Sequence, residues 1–171
     1  MNNKYRRAKN NPLLLFFMTL DSDKCVIPGL NRGRMVLLDT QGLIGRWVFT
    51  SSYDGKQKVS DWNKTGGVIP PTSSMLGQKF WEFHTKRLYQ PGQAVDDGFL
   101  ITFNDQTSYI TIEGGQRSEL MVHDDKNRAT AEGSHGCPVA LSTSEFEDFC
   151  NGIQQAVSHL PTIPFVTLYC Y

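Results

Sequence analysis

The sequence predicts a mainly β (α+β) domain with one helix near its C-terminus. Three observations lead there. Short β-rich runs recur along the chain, each bounded by Gly, Pro, Asn or Asp, the pattern of strands separated by turns. One stretch, Phe146, Phe149, Cys150, Ile153, Val157 and Leu160, keeps the spacing of an amphipathic helix. No internal repeat, low-complexity segment or linker breaks the 171 residues, so a single domain over 1–171 is expected. A chain of this size buries roughly 70% of its unfolded surface.

The elements follow in order. Lys4, Arg6, Arg7 and Lys9 form a basic start, read as a flexible, solvated tail over residues 1–12. Leu13 to Leu20 is a buried strand. Together with the basic start, the apolar run Leu13 to Met18 resembles the opening of a signal peptide. The run is short, however, no small-x-small cleavage site follows, and Asp21-Ser22-Asp23 comes at once, so a first core strand is the better reading. Asp21 to Arg34 is turn-rich, with Pro28-Gly29 and Asn31-Arg32-Gly33. Met35 to Asp39 and Arg46 to Ser51 pair as a hairpin through Gln41-Gly42. Ser52 to Pro71, polar and rich in Gly and Pro, is a long irregular connection of the kind that borders sites.

Lys79 to His84 alternates as a strand. Phe99 to Phe103 and Ser108 to Ile112 flank Asn104-Asp105-Gln106-Thr107 and are expected to form a second hairpin. Leu120 to His123 is a further strand, and Lys126 to Ser134 a loop. Ser144 and Glu147 make an S-x-x-E capping box at the head of the helix, and Pro161 stops it. Phe165 to Tyr171 closes the chain as an alternating strand. Trp62, Trp81, Tyr89 and Phe80 are candidates for a cleft wall, though core or rim positions suit most of them better.

Composition excludes several classes of function. Lys+Arg and Asp+Glu are both 17, so no net field draws in nucleic acid or an anionic membrane. No segment approaches the ~20 apolar residues of a membrane span. Of the cysteines Cys25, Cys137, Cys150 and Cys170, none forms a C-x-x-C pair, which argues against a structural zinc knuckle. Cys150 and Cys170 fall on apolar faces and read as small buried hydrophobes. Cys25 lies in a loop.

Cys137 stands apart. It ends the stretch Gly133-Ser134-His135-Gly136-Cys137, and a second histidine, His123, lies fourteen positions upstream. A thiol needs a base to become a thiolate, and histidine is the side chain suited to that near neutral pH. Glycine lets consecutive N–H groups turn toward one developing oxyanion. Nucleophile, base and oxyanion hole are the parts of a cysteine acyl-transfer site, with either histidine available as the base.

Ser134-His135-Gly136-Cys137, preceded by His123, resembles the signature of the L,D-transpeptidase catalytic domain, the YkuD-like family. The resemblance extends more weakly from about Met35 to Leu160. It implies a β-sandwich-like domain with the helix packed on it. It also implies a cell-wall or periplasmic enzyme that needs no cofactor or metal and acts on peptidoglycan stem peptides. By the same resemblance His123 is the base and a backbone carbonyl fixes its tautomer. His135 shapes the oxyanion pocket with the backbone of Gly136 and Cys137, and Ser134 holds the turn. The sequence departs from the pattern twice. Asp124 follows His123 where Gly, Ser or Thr is usual, adding a carboxylate partner or capping a strand end. Val139 stands where the family commonly has an arginine two residues after the cysteine, leaving Arg117 and Arg128 as the nearest replacements. Two other readings use the same residues: a zinc hydrolase built on His123, His135, Cys137 and Asp124, and a non-catalytic cell-wall-binding or virion structural domain.

Overall fold

Alternation along the strands decides which side chains share the core. The computed structural model describes residues 4–19, 33–51, 69–72, 80–91, 95, 97–105, 107, 109–112, 115–118, 120–125 and 136–170. In β1 (Leu13–Thr19) every second residue, Leu14, Phe16 and Met18, is buried. β2 (Gly33–Asp39) buries Met35 and Leu37, and β3 (Gly42–Thr50) buries Trp47 and Phe49. A period of two presents one face of each strand to the core. β2 and β3 form the expected hairpin, turning at Thr40-Gln41, with Gly42 at a φ of 103°.

The remaining strands are β4 (Trp81–His84), β5 (Leu88–Tyr89), β6 (Asp97–Phe103), β7 (Tyr109–Ile112), β8 (Gly115–Ser118), β9 (Met121–Asp124), β10 (Val139–Ala140) and β11 (Thr162–Cys170). The protein is mainly β with one helix. The sheet differs from the expected sandwich. β4 pairs on one side with β11, Glu82 facing Pro164, and on the other with β6, Glu82 facing Thr102. The order β4-β11-β1-β2-β3-β10-β9-β6 therefore closes on itself as a barrel of eight strands. Closure gives every strand of the ring a neighbour on each side. β5 adds only a short pairing to β6.

The second expected hairpin does not form as read. The turn at Asn104-Asp105 exists, with the Phe103 N–H donating to the Thr107 carbonyl. Beyond it, Tyr109–Ile112 leaves β6 and pairs with β8 in a separate two-stranded ribbon. The partner on β6 is instead β9, whose Val122 faces Phe99.

Helix α1 (Thr143–Ala156) carries the expected apolar face, burying Phe146, Phe149, Cys150 and Ile153. Phe149 meets Trp47 and Phe49 of β3, Phe83 of β4 and Phe99 of β6. β3 and β4 lie on opposite sides of the ring, so the helix delivers Phe149 to the middle of the barrel's aromatic core. The helix starts earlier than the Ser144 box implies. Ser142 is the N-cap and accepts the Glu145 N–H. Glu145 does not reach back to the cap; its carboxylate accepts the Val48 N–H of β3 at 2.6 Å, tying helix to barrel. Val157 forms the C-terminal end, ahead of Pro161.

The basic start is not a loose tail from Lys4 onward. Ala8 N–H donates to the Ala156 carbonyl, and Tyr5 N–H to Gln155. Lys4 pairs with Asp148, while Arg6 makes a forked pair with Asp39. Tyr5 and Ala8 are buried. The segment straps helix to hairpin, which the charge run alone did not reveal. Among the described residues no helix is long and apolar enough to cross a membrane.

Candidate active site

Register places the first pieces. Val122 of β9 points into the core beside Phe99, so its neighbours Met121 and His123 point to the outer face. Residues paired across strands share a face. Gly98 of β6, His123 of β9, Val139 of β10 and Thr50 of β3 therefore stand in one row on the outside of the barrel. Gly98 makes the row possible at His123: a Cβ on it would lie 2.9 Å from the His123 Cβ and 2.6 Å from the Val122 carbonyl.

The short parallel pairing of β10 with β9 brings Cys137 alongside. The His123 N–H donates to the Pro138 carbonyl at 3.2 Å, so the residue after Cys137 is fixed to the strand bearing His123. The Met121 N–H donates to the Cys137 Sγ at 3.4 Å. Cys137 is the main electrostatic partner of the His123 ring. The ring Nδ1 lies 2.7 Å from the Asp124 carbonyl. A carbonyl only accepts, so Nδ1 carries the hydrogen and Nε2 remains for the sulfur. Burial works against a charge on this part-buried ring. The partner Cys137 outweighs it, together with the Asp124 carbonyl and buried Asp125, and His123 titrates above the ordinary histidine value.

Gly136, at a φ of 121°, holds a backbone conformation that favours glycine. It is buried, and its carbonyl accepts from the Ser51 Oγ at 2.9 Å. Asp124 serves the site through its backbone, while its carboxylate turns to the start of the helix and accepts from Thr143 at 2.8 Å. Val139 is fully buried between β3 and β9, next to His123. Ser134 and His135 lie outside the described residues, as do Arg128, Trp62, Cys25, residues 52–68 and residues 126–133; the side chains of Arg117 and Cys170 are likewise not described. Trp81 is a core residue stacked on Phe103, whereas Phe80 and Tyr89 are exposed.

Comparison of the chain with protein-family models, with curated proteins and with solved structures gave no match.

What the arrangement can do is thus a matter of its chemistry. Of the four cysteines, two can be compared. Cys150 is on the buried face of the helix and its thiol is pushed up to about 12, burial being the main cause; it is inert packing. Cys137 is part-exposed and set beside an oriented imidazole, the setting of a nucleophile. Among the described residues no three His, Cys, Asp or Glu side chains gather as a metal set. Ser51, Gly98 and the Met121 N–H were not anticipated. Gly98 alone left a trace, as a glycine at the start of a β-rich run, where another group often approaches closely.

Proposed function

We propose that the protein is a cysteine acyl-transfer enzyme of the L,D-transpeptidase type, acting on peptidoglycan stem peptides. The observation that carries the reading is the juxtaposition of Cys137 with His123, whose Nδ1–H is held by the Asp124 carbonyl and whose backbone is tied to Pro138. It pairs a thiol with a base held in one tautomer. The match of His123 and Ser134-His135-Gly136-Cys137 to the family signature supports the substrate class.

The steps follow from that pair. His123 takes the thiol proton. The thiolate adds to the peptide carbonyl carbon, forming a C–S bond as the carbonyl electron pair moves to oxygen. The tetrahedral adduct collapses, the C–N bond breaks, and the imidazolium gives its proton to the departing amine, leaving a thioester. An acceptor amine or water then gives a proton to His123 and attacks the thioester carbonyl; the adduct collapses, the C–S bond breaks, and the imidazolium returns its proton to the sulfur, restoring the thiol. Amine attack is cross-linking; water attack is carboxypeptidase or endopeptidase action. The site draws on neighbouring strands of the barrel: β9, β10, the turn before β10, Gly98 of β6 and Ser51 after β3.

The test is incubation with tetrapeptide stem fragments and with purified peptidoglycan, read by mass spectrometry. A new amide dimer, or loss of the C-terminal residue, is expected from the wild type and absent from Cys137→Ala. Intact fragments after prolonged incubation with a protein whose Cys137 alkylates rapidly would reject the substrate class.

A further inference from the structure

We propose that Ser51 is a positioning residue of this site. Through the Gly136 carbonyl it turns the Gly136–Cys137 peptide so that the Cys137 N–H faces the oxygen of the acyl group under attack. The proposal rests on the acyl-transfer reading and deepens it.

Ser51 follows β3 and has no exposed surface. Its hydroxyl donates to the Gly136 carbonyl at 2.9 Å and accepts the Ile69 N–H at 2.8 Å. With its hydrogen and a lone pair both committed, the hydroxyl has one orientation. Ile69 is itself held, its carbonyl accepting from the Tyr169 hydroxyl. The next carbonyl, of Pro70, accepts from Thr167 at 2.5 Å, and Thr72 accepts the Thr167 N–H. Ser51 therefore connects a segment clamped to β11 with the turn that carries the nucleophile, across 85 positions of sequence.

The consequence for catalysis comes from peptide geometry. In a trans peptide the C=O and the following N–H point in opposite directions, and no peptide bond described here is cis. The Gly136 carbonyl points at fully buried Ser51. The Cys137 N–H accordingly points away from Ser51, on a residue that is itself part-exposed. The positive φ of Gly136 is what lets the chain turn this plane just before the cysteine.

Two reactions of the same thiol separate this role from a merely structural one. Iodoacetamide is attacked at a saturated carbon: a C–S bond forms, the C–I bond breaks, iodide leaves, and no oxyanion develops. With p-nitrophenyl acetate the thiolate adds to the carbonyl and the electron pair moves to oxygen. The adduct expels p-nitrophenolate, and water hydrolyses the thioester to acetate and free thiol. Ser51→Ala is expected to keep the alkylation rate and its pH profile within about threefold. Acylation should fall on the order of 10²-fold, the size of losing one oriented oxyanion donor. Ser51→Thr, which keeps the hydroxyl, should recover acylation. Equal loss of both reactions, or loss of neither, overturns the proposal.

A measurement on the unaltered protein covers a variant that does not fold. When acetyl-alanine aldehyde adds to the thiol, sulfur bonds the carbonyl carbon and the oxygen takes up the proton. The Cys137 amide proton should then move downfield in the NMR spectrum, because its N–H gains that oxygen as acceptor. An unmoved amide proton in a formed adduct overturns the proposal while leaving the nucleophile in place. Failure of the wild-type thiol to react with ester or aldehyde, with alkylation intact, rejects the acyl-transfer reading itself.

Discussion

Cys137 and His123 depend on each other in ways that titration can resolve. His123 titrates above the ordinary histidine value although burial opposes its charge, because Cys137 supplies the compensating partner. In Cys137→Ala burial is left with much less opposition, so His123 should titrate lower than in the wild type, as followed by imidazole NMR shifts. The sign for stability runs the same way. A group raised on folding stabilises most below its unfolded value, about 6.5, and the contribution fades as pH rises through the folded value. An unchanged His123 titration in Cys137→Ala would break the pairing. The same substitution should abolish turnover while leaving the melting temperature within a few degrees, because Cys137 is part-exposed and its loss removes a single sulfur from the edge of the core. Gly98→Ala tests the row from the other side: its Cβ would meet the His123 Cβ at 2.9 Å and the Val122 carbonyl at 2.6 Å. Neither neighbour is the free end of a flexible side chain, so His123 must shift. Activity should fall at least tenfold, by the cost of a misplaced catalytic group, as read by kcat on a stem peptide.

At the level of elements, the helix illustrates how packing overrules propensity. Gly152 sits in mid-helix, where alanine would ordinarily gain about 1 kcal/mol. Here a Cβ would lie 2.4 Å from Cζ2 of Trp47, a ring locked between Tyr5 and Phe149 and bonded to Asp148. Gly152→Ala should therefore lower the denaturation midpoint, and a raised midpoint would show that Trp47 can move. Ser142→Ala should cost ~1 kcal/mol, the usual value of an N-cap, measured by urea unfolding; Ser144→Ala, outside the cap, should cost far less. These cases also mark what the sequence makes legible. The helix was readable because Phe146, Phe149, Cys150 and Ile153 keep one period over several turns, and the β2–β3 hairpin because its turn residues separate two alternating runs. The cap was misplaced by two residues because Ser142-Thr143-Ser144-Glu145 and Ser144-Glu145-Phe146-Glu147 carry the same S-x-x-E signal. β10 was not readable at all: two residues have no period, and Val139-Ala140 is a strand only because β3 and β9 flank it. Cys137 and His123 were legible as chemistry, whereas Ser51 was not, since a serine at a strand end has no signal until the chain folds Gly136 and Ile69 onto it.

On the scale of the whole molecule, closure and strapping hold the site without touching it. The ring closes where β4 meets both β6 and β11, which local patterns cannot announce, because strand alternation is the same in an open sheet and a closed one. On the side of the ring that carries β2 and β3, the segment after Lys4 runs from helix to hairpin and ends its hold at Asp39. Arg6 forks onto the Asp39 carboxylate, which also accepts the N–H groups of Lys9 and Gln41. The Arg6 hydrogen bonds are the largest cause holding that carboxyl far below the usual carboxylate range, ahead of the opposing effect of desolvation. A group lowered on folding stabilises the fold above its unfolded value, about 3.9, and loses that contribution as pH falls through the folded value. The wild type should therefore lose stability steadily as pH drops below about 4. Asp39→Asn keeps an acceptor of similar shape but no charge, so it should be less stable than the wild type at pH 7, with the gap narrowing as pH falls toward 2. Chemical denaturation at a series of pH values, followed by circular dichroism, measures both curves. A gap of constant size across that range would mean that Asp39 acts as a neutral hydrogen-bond acceptor and that the charge of Arg6 contributes nothing to holding the strap.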